Sequence, residues 1–497
     1  MHKMHGRWCW SGHCWPLLLL LLLPSSIAIA DRPATRNGTE FHRTAVGSNS
    51  NVCRSRQFWQ TFPLVDTCPP AILPLRGTVY ILYDVNISEG FNLRRDVYIR
   101  LAVFVRRLRR RKRFRNVRLV LPPFPRLYHW HSHHLKQSDV GWGHFFDLDS
   151  LRRYAPIVDY SEFLAEYRQF GMPAPPFVHI SQVFRLMHYE IMLEQGIFRD
   201  KYERVAPKLD DNSCNEYSTA GGPLLSQSLL RYGQYHCVHF QGSAGLLERL
   251  LREAIAEDTA GAEDIDDMRV YAILSAETVL HDHWGDEHFW KARRSMRFSK
   301  YLSQVANDFL RYAFDTTDSS AGVQRPAMWE MERPKRDALG GDFICAHLRR
   351  GDFVRSREAT TPTLKSAAQQ IKQLLRAFNA STVFLSTDAT PYDLVQMKSM
   401  FHGFRFVHFQ PESNLQRQKL KDGGVAIVDQ LVCSYARYFI GTYESTFTYR
   451  IYEEREILGF SKTSTFNTIC KVVGGNCPRN AVWPIVWDDD GDNDKPY

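Results

Sequence analysis

No stretch of the 497 residues stays apolar for the ~20 positions that a membrane-spanning helix requires. The glycine pattern G-x-G-x-x-G is missing, which removes the dinucleotide-binding fingerprint. No H-E-x-x-H pair and no cysteine spacing suited to zinc occurs, and no internal repeat is visible. Cysteine is sparse, at ten residues. What remains is a hydrophobic content of 44% and an aromatic content of 13%, enough to fill two cores.

The first thirty residues begin with His2, Lys3 and Arg7, continue through an apolar core from Trp15 to Leu23, and end in Ala28-Ile29-Ala30. This pattern predicts a secretory signal peptide cut after Ala30, and hence a protein of the secretory lumen. An uncleaved type II anchor is the alternative, but the apolar run is too short for one. Eight cysteines lie beyond Ala30. The close pairs Cys53/Cys68, Cys214/Cys237 and Cys470/Cys477 suit local disulfides in an oxidising compartment. Cys345 and Cys433 fall inside apolar runs and are expected to be small core residues.

A chain of this length exceeds what one core supports, so two domains are expected, 31–295 and 296–480. Asp315 to Leu339 is expected to be a mobile insertion, and 481–497 an acidic tail. The net charge of +9 is concentrated at Arg106–Arg118, where a helix ends and a strand begins. That charge is favourable at the negative pole of a helix and is not expected to bind nucleic acid.

The first domain opens with a βαβ unit. Thr78–Tyr83 is apolar and rich in β-branched and aromatic residues, which predicts a buried strand. Leu93, Val97, Leu101, Phe104, Val105 and Leu108 form one helical stripe, with Asn92 as its expected N-cap. Asn116–Leu121 is the next strand. Between strand and helix, Ser88-Glu89-Gly90-Phe91-Asn92 makes a loop in which Glu89 can act as general base or simply face water. Arg94 and Arg95 can meet phosphate or solvent.

The second domain alternates strands at 343–346, 382–385, 404–409 and 438–441 with helices near 362–377 and 424–436, which predicts a parallel sheet. His347-Leu348-Arg349-Arg350-Gly351-Asp352-Phe353 follows the first of these strands, where ligands sit in open α/β sheets. Arginine there suits a diphosphate, because a guanidinium donates two parallel bonds and stays charged. An ion pair between Arg350 and Asp352 is the plainer expectation. Glu454 shares an apolar helical stripe with Phe447, Ile451 and Leu458 and should hold an arginine. Asp429 lies on the stripe of Val425, Val428 and Val432 and can accept the N–H groups of a guanine. Ser445, Thr446 and Phe447 open a helix, a second place for phosphate. The histidine-rich segments 129–134 and 281–288 and the pair Asp147/Asp149 carry metal-ligand residue types without a binding pattern.

Taken together, Tyr83–Asn86, Glu89–Asp96, His347–Arg350, Asp429-Gln430, Tyr438–Gly441, Ser445–Phe447 and Glu453–Glu456 resemble the GDP-fucose protein O-fucosyltransferases, over about residues 76 to 480. The resemblance implies an α/β, GT-B fold of two Rossmann-like domains facing each other across a cleft. It implies transfer of fucose to Ser or Thr of folded thrombospondin type 1 repeats in the endoplasmic reticulum lumen, by a monomer with no cofactor and no essential metal. Matched residue by residue, Glu89 is the base, and Arg349 stabilises the leaving diphosphate with His347 and Leu348 beside it. Ser88, Gly90, Phe91, Asn92, Asp429, Thr446 and Phe447 line the donor site, and Glu454 is required for activity. Ile87-Ser88 stands where the family usually has Pro-Pro, and it creates the sequon Asn86-Ile87-Ser88, expected to stay unmodified beside Glu89. Asn37 and Asn379 head better sequons. Modification of EGF-like repeats or glycans, and a lectin-like protein that binds GDP-fucose without turnover, are the alternatives.

Overall fold

The computed structural model describes residues 77–170, 177–186, 193–194, 197–198, 208–209, 229–240, 242–259, 268–278, 282–475, 477 and 481–487. The leader, Cys53, Cys68, Cys214 and Asn37 lie outside the described residues.

Strand β1 (Val79–Tyr83) is buried at all five positions. An apolar strand with no polar face needs cover on both sides, and it takes a central place in a parallel sheet. With β2 (Val117–Leu121), β3 (Ile157–Asp159), β4 (Val178–Leu186), β5 (Lys208–Leu209), β6 (Leu230–His239) and β7 (Arg269–Leu274), the order is β3-β2-β1-β7-β4-β6-β5. Among the described residues of this sheet, only β5 runs antiparallel to its neighbour. A second, all-parallel sheet takes β8 (Gly341–Leu348), β9 (Thr382–Thr387), β10 (Arg405–Val407) and β11 (Ala436–Gly441) in the order β10-β9-β8-β11.

Helix α1 (Phe91–Leu108) returns from β1 to β2 and is buried along nearly its whole length, arginines included. It packs against the first sheet on one side and elements of the second half on the other. One apolar cluster therefore runs from Val79, Ile81 and Tyr83 through Val97 and Leu101 to Phe343, Cys345 and Phe439. The alternate residues of each central strand face smaller clusters, Tyr80 and Leu82 in one and Ile344, Ala346 and Leu348 in the other. The architecture is α/β of GT-B type. No helix among the described residues is long and apolar enough to cross a membrane.

Several elements depart from the sequence expectations. Helix α1 starts one residue before Asn92 and is preceded by Gly90 at its cap, so Asn92 sits inside the first turn. Cys345 on β8 and Cys433 on helix α2 (Asn414–Ser434) are bonded to each other. The apolar stripes that argued for core packing face one another and bring the two sulfurs together. Cys470 pairs with Cys477 as expected, and Cys237 is also disulfide-bonded. The 315–339 segment is packed: Ala321, Val323 and Trp329 are buried, and Leu339 donates its N–H to the Ala321 carbonyl at 2.9 Å. Residues 481–487 also pack, with Trp483 edge-on to Tyr449 at 5.0 Å and Ile485 N–H on Glu456 at 2.8 Å.

Candidate active site

The carboxyl ends of β1, β8 and β9 open onto a cleft of about 1020 Å³. Ser88, Glu89, Gly90, Phe91 and Asn92 line it from the first half, and His347, Arg349, Asp429, Thr446 and Phe447 from the second. Of the expected donor-site residues, Leu348 does not line it, and Glu454 holds arginine as its stripe predicts. Leu348 is fully buried among Ile344 and Ala346 on the opposite face of β8. Alternation along a strand requires this once His347 and Arg349 face the cleft. Glu454 accepts from Arg293 Nη2 at 2.8 Å and pairs with Arg325, away from the cleft. Burial alone would raise its carboxyl, but Arg325 and Arg293 outweigh that and hold it down to about 2.

The loop that carries Glu89 is stapled from beneath. Arg94, expected at phosphate or in water, is buried and donates to the carbonyls of Val85 (3.0 Å), Asn86 (2.8 Å) and Glu89 (3.2 Å). Asp84 stands 3.7 Å from it. Three backbone acceptors on one planar guanidinium fix the turn's direction, so the Glu89 side chain projects from a rigid base. Burial, with Glu277 nearby, pushes the Glu89 carboxyl up against the opposing pull of Arg94. Arg95 is likewise not a surface group. It lies over the rings of Phe91, Phe146 and Phe298 and donates to Asn92 Oδ1 (3.2 Å) and to Gln430 Oε1 of α2 (2.7 Å). Gln430 Nε2 donates to the same Asn92 oxygen at 2.9 Å. Arginine can only donate, so the Asn92 oxygen is identified and its amide N–H groups are left for the cleft.

Arg349 and Arg350 part company at the end of β8. Arg349 reaches Asp352 (2.6 Å) and Asp388 (2.6 Å), while Arg350 turns to the Pro362 carbonyl (2.9 Å) and Asp393 (3.6 Å). Asp352 is thus the partner of Arg349 and not of Arg350. A Cβ at Gly351 would stand 2.5 Å from Asp388 Oδ2, so only glycine lets that carboxylate close on the turn. His347 is stacked on Phe447 at 4.3 Å, and its Nδ1 lies 2.8 Å from Thr448 Oγ1. That hydroxyl donates to the Thr442 carbonyl at 3.1 Å, which assigns the ring proton to Nδ1 and leaves Nε2 as an acceptor. Burial and Arg349 lower the His347 pKa to about 3, so the ring is neutral.

Helix α3 (Thr446–Leu458) begins at Ser445 without a side-chain cap, leaving its first N–H groups directed at the cleft. Glu444, just before it, takes the left-handed conformation at φ 55° and pairs with Arg357. Asp429 accepts the Ser386 hydroxyl on Oδ2 at 2.8 Å, while Oδ1 is buried without a partner. Burial pushes this carboxyl up to about 7, with the Ser386 bond opposing.

Several residues of the metal-like sequences are engaged in other contacts. Asp147 caps a helix through Ser150 N–H at 3.0 Å, and Asp149 pairs with Arg152 at 3.1 Å. His283, Asp286 and His288 are close enough together for an ion, but Asp286 also caps a helix and none of the three lines the cleft. His129, Ser386 and Asp388 line the cleft and were not singled out as cleft residues from sequence. Asp388 follows directly after β9, so the strand-end rule that drew attention to Arg349 could have found it.

A family model for GDP-fucose protein O-fucosyltransferase matches residues 80–458. A Drosophila melanogaster protein named GDP-fucose protein O-fucosyltransferase 2 is 69% identical over 99% of both chains. Its Caenorhabditis elegans namesake is 37% identical over 82% of this chain and 90% of its own. A crystal structure of POFUT1 in complex with GDP-fucose aligns over 81% of this chain and 99% of its own, at 16% identity and a TM-score of 0.49. The chain belongs to the GDP-fucose protein O-fucosyltransferase family.

Proposed function

We propose that this glycosyltransferase moves fucose from GDP-fucose to Ser or Thr hydroxyls of folded thrombospondin type 1 repeats, by an inverting single displacement that needs no metal. The observation that carries the reading is that a raised carboxylate, Glu89, and a clamped guanidinium, Arg349, line one cleft from its two halves. In this scheme guanine meets Asp429, and the diphosphate lies between the N-terminus of α3 and Arg349. Glu89 takes the proton from the acceptor hydroxyl as the hydroxyl oxygen bonds to the sugar's anomeric carbon. The bond from that carbon to the β-phosphate breaks with inversion, and Arg349 takes up the charge left on GDP. A cation on the protein makes a metal dispensable for that task. Asp352 and Asp388 pre-orient the guanidinium, and the incoming diphosphate competes with them for its N–H groups.

The leader and the disulfides support an oxidising lumen, here the endoplasmic reticulum, as the place of action. The test incubates the purified protein with GDP-fucose and separate folded thrombospondin and EGF-like repeats, with and without EDTA, and weighs the products. A gain of one deoxyhexose on the thrombospondin repeat, undiminished by EDTA, is expected. Gain on the EGF-like repeat alone would overturn the acceptor, and loss with EDTA would overturn the metal-free mechanism.

A further inference from the structure

His129 stands on the loop after β2 and lines the cleft. Its Nδ1 lies 3.2 Å from Nη2 of Arg349. A guanidinium has no acceptor, so Nδ1 is the lone-pair nitrogen and the proton of the neutral ring is on Nε2. The other edge of the ring rests on Gly90: a Cβ built there would stand 3.0 Å from Cδ2 and 3.3 Å from Nε2. The imidazole therefore bridges the loop that bears Glu89 and the guanidinium on the opposite wall. Its footing is fixed, because Trp130 is buried beside Phe91, Phe124 and Phe145. Ser132 adds a tie across the cleft, donating its N–H (2.9 Å) and hydroxyl (2.6 Å) to Asp422.

We propose that His129 is a positioning residue: as acceptor for Arg349 it holds the guanidinium in the cleft beside Asp352 and Asp388, and it keeps Arg349 and Glu89 in register across the two halves. Burial and Arg349 lower its pKa while Asp352 and Asp388 oppose, which keeps the ring in the neutral form that can accept. The two carboxylates bind Arg349 from its own half, and among the described residues His129 binds it from the other. The inference rests on Arg349 being the diphosphate ligand.

The test measures GDP binding by calorimetry in His129→Phe, His129→Ala and His129→Asn, each alone and with Arg349→Met, alongside thermal melts. Phe and Ala remove the acceptor, whereas the Asn oxygen can stand near the position of Nδ1. H129F and H129A should bind GDP about tenfold more weakly with unchanged melting, the worth of one hydrogen bond to a charged group, and H129N should stay within about threefold of wild type. With R349M in place, the further loss from H129F should vanish. The proposal is overturned if H129F and H129A bind within about twofold of wild type, if H129N is as weak as H129F, or if the loss persists beside R349M. R349M binding GDP as tightly as wild type would remove the diphosphate role itself, and this proposal with it.

Discussion

Replacing Asp429 by Asn tests how the nucleoside is recognised. In the protein one carboxyl oxygen takes the Ser386 hydroxyl and the other is buried without a partner. Guanine presents a ring N–H and an amino group side by side, so an ionised Asp429 would accept two charge-assisted bonds of ~1.5–3 kcal/mol each. Asn keeps one acceptor and sets an N–H₂ against a donor, a net loss of about 2–3 kcal/mol, or roughly 30- to 150-fold in Kd. The carboxyl titrates at about 7 in the free protein, and only the ionised form offers two acceptors. Affinity is therefore full above that pKa and falls below it, by about tenfold between pH 8 and pH 6. Calorimetric titration with GDP-fucose, without acceptor, reads this directly, because its doubly esterified diphosphate does not ionise in that range. His347, held to about 3, does not titrate there either. Wild-type affinity that is flat from pH 6 to pH 8, or an Asp429→Asn variant within threefold of wild type, would refute the assignment.

Glu89→Ala should keep GDP binding and abolish transfer, because Arg94 holds the loop through backbone carbonyls, that of residue 89 included, which alanine retains; near-wild-type turnover would remove it as base. Since its carboxyl is raised by burial and Glu277, the wild-type rate should fall on the acid side as protonation takes away the acceptor oxygen. Glu454→Ala leaves Arg293 and Arg325 buried around a missing charge, a cost of about 3–5 kcal/mol. It should lower the melting temperature by several degrees, and an inactive variant that melts like wild type would show that Glu454 acts in the chemistry after all. Asn86 should be found unglycosylated by peptide mapping, because its side-chain oxygen is held by the Ser88 N–H (3.1 Å) and hydroxyl (2.9 Å) and Ser88 lines the cleft. Full occupancy in active enzyme would displace this loop from the site.

Strand and helix periodicity, together with the strand-end rule, located β1, α1, β8 and the positions of Glu89, Arg349 and Asp429 without coordinates, since each depends on residues close in sequence. Buried arginines were the systematic failure. Arg94 and Arg95 look like a charged first turn, yet one staples a loop and the other sits among three rings, since α1 is covered on both sides by elements remote in the chain. Cys345 and Cys433 failed for the same reason: their apolar stripes were legible, but not that the stripes face one another. A cationic strand end, a helix start and a carboxylate loop are local patterns, so a place for a diphosphate was legible in the residues, and the resemblance named GDP-fucose as the donor. How those groups are held depends on the folded chain. Asp388 on Arg349, Gln430 on Asn92 and His129 across the cleft are contacts between distant segments, whose pairing depends on how strands and helices close around a shared core.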